Sequence, residues 1–102
     1  MLTTIFISLN KYEYLSTVTN KKYLKNKQEI LNLIKQIKYS IDQLASNGTL
    51  NSEGRKMKWI LIRKLLTIPE TKIYAQRLKK SDHEQNFLDT IKEIEYYLLE
   101  NL

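Results

Sequence analysis

The chain has 102 residues, 42% of them hydrophobic and 27% charged, with 17 Lys/Arg against 11 Asp/Glu and a formal net charge of +6. That length supports one domain around one core, 1–102, with no room for a catalytic domain beside a recognition domain, and the composition is globular rather than disordered. Cysteine is absent, which excludes a disulfide framework and thiolate metal ligation and makes a reducing cytosol the natural home.

Two glycines and one proline leave few turns, which favours a handful of long helices over many short strands. At the N-terminus, Ile5-Phe6-Ile7 has no basic flank and is too short for a signal-peptide core. The segment Thr3 to Leu15 is β-prone, but Ile5, Leu9 and Tyr12 fit a helix, and a single strand would lack a partner, so a first helix is expected, with a polar loop near Ser16 to Asn20.

The clearest helix is the second. Ile30, Ile34, Ile37, Ile41 and Leu44 repeat at spacings of 4, 3, 4 and 3, a one-sided seam widened by Leu31 and Ala45, with Lys35, Lys38 and Asp42 outside it. Asn26 with Glu29 reads as a capping pair and Ser46-Asn47-Gly48 as a left-handed stop, which predicts a helix over Asn26 to Ser46.

A third helix is expected from Asn51 or Ser52, with Glu53 in its positive first turn. Met57, Trp59, Leu61, Ile62, Leu65 and Leu66 cover a broad apolar arc, with Lys56, Arg63 and Lys64 on the far side. Pro69 breaks or kinks this run, and Thr67-Ile68-Pro69-Glu70 reads as a new capping box. Ile73, Tyr74 and Leu78 of the next short segment are expected inward, with Lys72, Arg77, Lys79 and Lys80 outside. Ser81 with Glu84 signals another capping box, opening a last helix in which Phe87, Ile91, Ile94 and Leu98 step by 4, 3 and 4. The expected fold is therefore all-α, an antiparallel four-helix bundle whose third helix is broken near Pro69. Ile34, Ile37, Ile41, Leu61, Leu65, Ile91, Ile94 and Leu98 should share its core.

Charge is divided unevenly among these segments. Residues 1–50 carry 7 Lys/Arg against 3 Asp/Glu, residues 51–80 carry 9 against 2, and residues 81–102 carry 1 against 6. A basic middle followed by an acidic last helix implies that the two lie side by side and leave surplus positive charge facing a partner. The partner-facing candidates are Lys56, Arg63, Lys64, Arg77, Lys79, Lys80 and, beyond the Phe87/Ile94 seam, Tyr96. A basic, Tyr-containing bundle with no spanning segment also fits a loose, salt-sensitive contact with an anionic membrane surface.

Catalytic chemistry is hard to assemble from these residues. One histidine, no cysteine and no Gly-rich phosphate loop offer neither a nucleophile beside a base nor a phosphate cradle. His83, between Asp82 and Glu84, has no second His or Cys to join it on a metal and reads as a solvated helix-start residue. No enzyme activity, cofactor or metal is expected. Nucleic-acid binding has the charge for it, but Glu53 stands where base contacts would begin and Arg is scarce, which argues against it.

The run Glu29-Ile30-Leu31-Asn32-Leu33-Ile34-Lys35-Gln36-Ile37 through Ile41 and Leu44, the Asn-Gly turn, and then Lys58-Trp59-Ile60-Leu61-Ile62-Arg63-Lys64-Leu65-Leu66 resembles the immunity proteins of pediocin-like bacteriocins, the enterocin A immunity family. The likeness is one of layout, size, charge and helix phasing, and the stretch interrupted by Pro69 departs from the family pattern. The resemblance implies a cytoplasmic antiparallel four-helix bundle, to which the basic surface adds a minor, salt-sensitive peripheral membrane fraction. It implies protection of a producing cell from inside, by recognition of a membrane permease receptor of the sugar phosphotransferase type once bacteriocin has engaged it. The residues alone also fit a small regulatory or antitoxin-like protein whose basic face meets DNA or an acidic partner protein.

Overall fold

The computed structural model describes residues 24–101. The expected first helix and the loop after it lie outside these residues. The described part is predominantly helical, with one very short antiparallel ribbon.

Helix α1 occupies residues 24–39 and buries Ile30, Leu31, Leu33, Ile34 and Ile37 along one face. Because the chain is already helical at residue 24, Asn26 does not cap it. A turn at Ser40 separates α1 from a single helical turn, α2 (Ile41–Leu44), where Gln43 N donates to Ser40 O at 2.8 Å. The helix expected to reach Ser46 therefore ends at Leu44. Ala45 is extended (φ −137°, ψ 147°) and starts β1 (Ala45–Ser46), which pairs antiparallel with β2 (Thr49–Leu50). Asn47 (φ 54°) and Gly48 (φ 79°) both take positive φ, the geometry whose twist suits a two-residue hairpin, so the Asn-Gly pair turns a strand and does not cap a helix. The ribbon finds further partners in the connection ahead of the last helix. Leu50 N donates to Asp82 O and Glu84 N to Gly48 O, each at 2.9 Å, with Thr49 bridging to His83.

Helix α3 (Ser52–Leu65) begins as its sequence predicts. Asn51 is the N-cap: its Oδ1 accepts from Gly54 N at 2.9 Å, and its Nδ2 reaches Gln43 O at 2.8 Å. The buried line of α3 is Gly54, Lys58, Leu61, Ile62 and Leu65. Trp59 lies about 120° around the helix from the centre of that line. This corrects the expected arc: Trp59 is 47% exposed and Leu66, just past the helix end, 41%. A glycine and a lysine take the inward track that the indole was expected to share.

Pro69 does interrupt the chain. Ile68 is extended (φ −115°, ψ 117°), as a residue before proline tends to be, and a 3₁₀ turn over Pro69–Thr71 leads into α4 (Lys72–Lys79). The expected capping box does not form. Thr67 Oγ1 turns back to Lys64 O at 2.6 Å, and the N-cap is Ile68, without a side-chain bond. Thr71, fully buried, offers its single proton to Leu65 O at 2.5 Å, with Ile68 O at 3.0 Å as the other acceptor, so the bend is satisfied internally. Ala75 and Leu78 face inward, whereas Ile73 points out because it sits about 200° from Ala75.

Helix α5 (Glu84–Glu100) buries Phe87, Thr90, Ile91, Ile94 and Leu98. Its N-cap is His83. Ser81, expected to cap it, is buried and donates backward to Arg77 O at 2.8 Å, closing α4 in place of opening α5.

The partner pairs fix how the helices lie. Lys27 bonds Asn101 and Lys38 bonds Glu95, so α1 and α5 run antiparallel; Arg77 meets Glu93 and Tyr74 packs on Tyr97, so α4 and α5 do too. Glu29 reaches Lys64 from α1 to α3. One core joins all of them. Of the eight residues expected in it, seven are buried, and Ile41 packs half-buried against its edge.

Candidate functional site

The expected partner-facing residues divide between two sides of the molecule. Lys56 and Arg63 are exposed and seven residues apart on the outward face of α3. Lys56 has only a loose partner, Glu53 at 3.8 Å, and both side chains are largely in water. Trp59 and Ile60 flank them on either side, so this face mixes cations with apolar surface. That mixture was legible only in part, since the aromatic was expected inside.

Lys64 is not a free cation. Its ammonium reaches Glu29 across α1 at 3.3 Å and ties two helices together. Arg77 is likewise committed to the α4–α5 contact, with its guanidinium bonded to Glu93 and 5.9 Å above the Tyr74 ring, and the carboxylate bond raises its pKa further. Lys79 and Lys80 are exposed at the end of α4, where Lys80 borders a shallow cavity of about 480 Å³ with Asn86 and Asp89. Tyr96 is exposed as expected and lines a groove of about 570 Å³ with Tyr74, Tyr97 and Lys92. The structure thus leaves Lys56 and Arg63 as the open cationic pair on α3, with Lys79, Lys80 and Tyr96 on the α4–α5 side.

The charge contrast between the middle and the last helix does more inside the molecule than the sequence indicated. Lys58, which phase places in line with Gly54, Leu61 and Leu65, is almost wholly buried, and its Nζ donates to Asp82 Oδ1 at 2.7 Å. This bond pins α3 to the connection that also pairs with the ribbon. The hydrogen bond from Lys58, and then its charge, hold the Asp82 carboxyl below the usual aspartate range. Among the described residues, Lys27 is the other buried amine. It donates to Asn101 O at 2.5 Å at the negative end of α5, and burial lowers its pKa, partly offset by Glu70. The signal for both was present in the helical phase, since Lys27 continues the spacing of Ile30, Ile34 and Ile37 and Lys58 that of Gly54, Leu61 and Leu65.

A depressed Asp82 pKa stabilises the fold above the ordinary aspartate value, about 4, and that contribution fades as pH falls through the lower value in the folded chain. Asp82→Asn leaves a buried ammonium facing a neutral partner and should cost about 1–3 kcal/mol at pH 7. Lys58→Met keeps the volume, leaves the Asp82 carboxylate, 60% exposed already, to water and should cost less than about 1.5 kcal/mol. Urea unfolding followed by circular dichroism should show the gap between the parent chain and Asp82→Asn closing toward pH 3.

Among the described residues, no group of three or more His, Asp or Glu is placed to hold a metal ion. His83 is exposed at the α5 N-cap. No described helix is long and apolar enough to cross a membrane. The arrangement presents cations and half-exposed aromatics on a helical scaffold. Comparisons of the chain with family models, with curated proteins and with solved structures give no match.

Proposed function

We propose that this chain is a non-catalytic bacteriocin immunity protein of the pediocin-like type, built as an antiparallel four-helix bundle and acting from the cytoplasmic side on a membrane sugar permease that a bacteriocin has engaged. The observation that carries the reading is the helical hairpin of α1–α2 and α3. The stretch resembling that family folds as two antiparallel helices whose seam, Ile30, Ile34, Ile37, Leu44, Leu61, Ile62 and Leu65, is buried in one core. Blocking a pore opened in a receptor requires a stable body and a complementary surface, and no bond has to be made or broken.

Expression in a sensitive strain, followed by challenge with a panel of pediocin-like peptides, tests this directly. Growth is expected against one or a few members of the panel. Sensitivity to every member, with the protein present in the cytosol, would overturn the reading. Lys56→Glu with Arg63→Glu should abolish protection while moving unfolding free energy by no more than about 0.5 kcal/mol, since both side chains are exposed. Lys64 is left unchanged in that variant because a glutamate there would face Glu29.

A further inference from the structure

The outward face of α3 has a composition that neither the core nor the salt bridges explain. Trp59, Ile60 and Leu66 keep 47%, 38% and 41% of their surface in water, on the same side as Lys56 and Arg63. The stripe from Lys56 to Leu66 is about 15 Å long at the rise of an α-helix. Isolated exposed apolar residues are ordinary, but a tryptophan, an isoleucine and a leucine interleaved with cations on one helix face form a patch.

We propose that this face of α3 lies against an anionic lipid surface, with the Trp59 indole at headgroup depth and Lys56 and Arg63 on lipid phosphates. The inference concerns the same face as the charge-reversal variant above, but its test with protein-free vesicles does not require the immunity reading to hold. Three observations select a lipid surface over a folded partner or a peptide. First, the face is the exposed outer side of a helix, and the two cavities described above are lined by α4 and α5 and not by it. Second, its charge is complementary to a negative plane. With Lys58 buried against Asp82 and Lys64 held by Glu29, the exposed face carries Lys56 and Arg63 against one acid, Glu53, which makes only the loose 3.8 Å contact with Lys56. Third, the apolar groups are an indole and two aliphatic chains at partial exposure, which suits shallow seating among headgroups, where Trp is enriched and Lys and Arg reach phosphate.

The chain contains a single tryptophan, so its emission reports on this face alone. The experiment uses the full chain with vesicles of pure phosphatidylcholine and of phosphatidylcholine with phosphatidylglycerol, some carrying brominated acyl chains. Anionic vesicles are expected to shift Trp59 emission to the blue and brominated lipid to quench it, and both effects should reverse at high salt because the attraction acts within a Debye length. Neutral vesicles should change little. Lys56→Gln and Arg63→Gln should each weaken partitioning about fivefold, with the far-ultraviolet circular dichroism unchanged. Unaltered Trp59 emission with anionic vesicles overturns the proposal, whether or not the protein sediments with them, since sedimentation alone would mean another face binds. An equal loss from Lys79→Gln with Lys80→Gln overturns it too, by showing that only net charge matters. A Trp59 shift with duplex DNA or polyglutamate but not with vesicles would assign the face to a nucleic acid or an acidic protein instead.

Discussion

Alanine at Gly54 is expected to destabilise the chain by about 3 kcal/mol, the upper end of what overpacking usually costs. Helix propensity alone predicts the opposite sign, because alanine is favoured over glycine by about 1 kcal/mol within a helix. Geometry decides between them. A Cβ on Gly54 would stand 2.1 Å from Leu44 O and 3.2 Å from Leu50 Cβ. The first of these is backbone, and it already accepts a hydrogen bond from Asn51 N at 2.9 Å, so it cannot move away without loosening the cap of α3. Gly54 is therefore the point where α3 passes closest to the end of α2. Urea unfolding of Gly54→Ala should give a lower midpoint than the parent with a similar slope. Equal or greater stability would mean that this approach is looser than described.

Ile37→Ala should cost about 2–5 kcal/mol. Ile37 is fully buried on α1, in the cluster it shares with Leu61, Leu65, Ile91 and Ile94, and truncating it removes apolar contact while leaving a cavity. Lys35→Ala, two residues away on the exposed side of α1, supplies the control and should stay within about 0.5 kcal/mol. A loss below 1 kcal/mol for Ile37→Ala, by the same denaturation, would show that α1 does not share the core of α3 and α5.

The helical seams were readable because the periodicity recurs over several turns: the isoleucine row of α1 and the Phe87 to Leu98 row of α5 fall inside as expected. Asn51 and Pro69 were readable for local reasons, a side-chain acceptor for orphan amides and a ring that fixes φ. Hydroxyls were read less well. Thr67 and Ser81 satisfy the ends of the helices before them, and the sequence alone does not tell a backward bond from a forward cap. The ribbon escaped notice because two-residue strands carry no periodicity, and their partners at Asp82 and Glu84 lie far along the chain.

The candidate surface was half legible for a related reason. Exposed cations on α3 follow from the phase, but the outward tryptophan follows from Gly54 and Lys58 taking the inward track, and each of those choices depends on a neighbour: Leu44 O for the glycine, Asp82 for the lysine. Charge totals gave the sign of the surface and overstated its extent. Lys58, Lys64 and Arg77 are all engaged within the fold, by Asp82, Glu29 and Glu93.

The measurement closest to the central claim is co-isolation of the membrane permease with affinity-tagged protein from sensitive cells, with and without a bacteriocin against which the chain protects. The account predicts that the permease is retained when peptide has been added and is absent or much reduced without it. Equal retention in both conditions would contradict recognition of the engaged receptor, and so would survival of challenged cells with no permease retained in either.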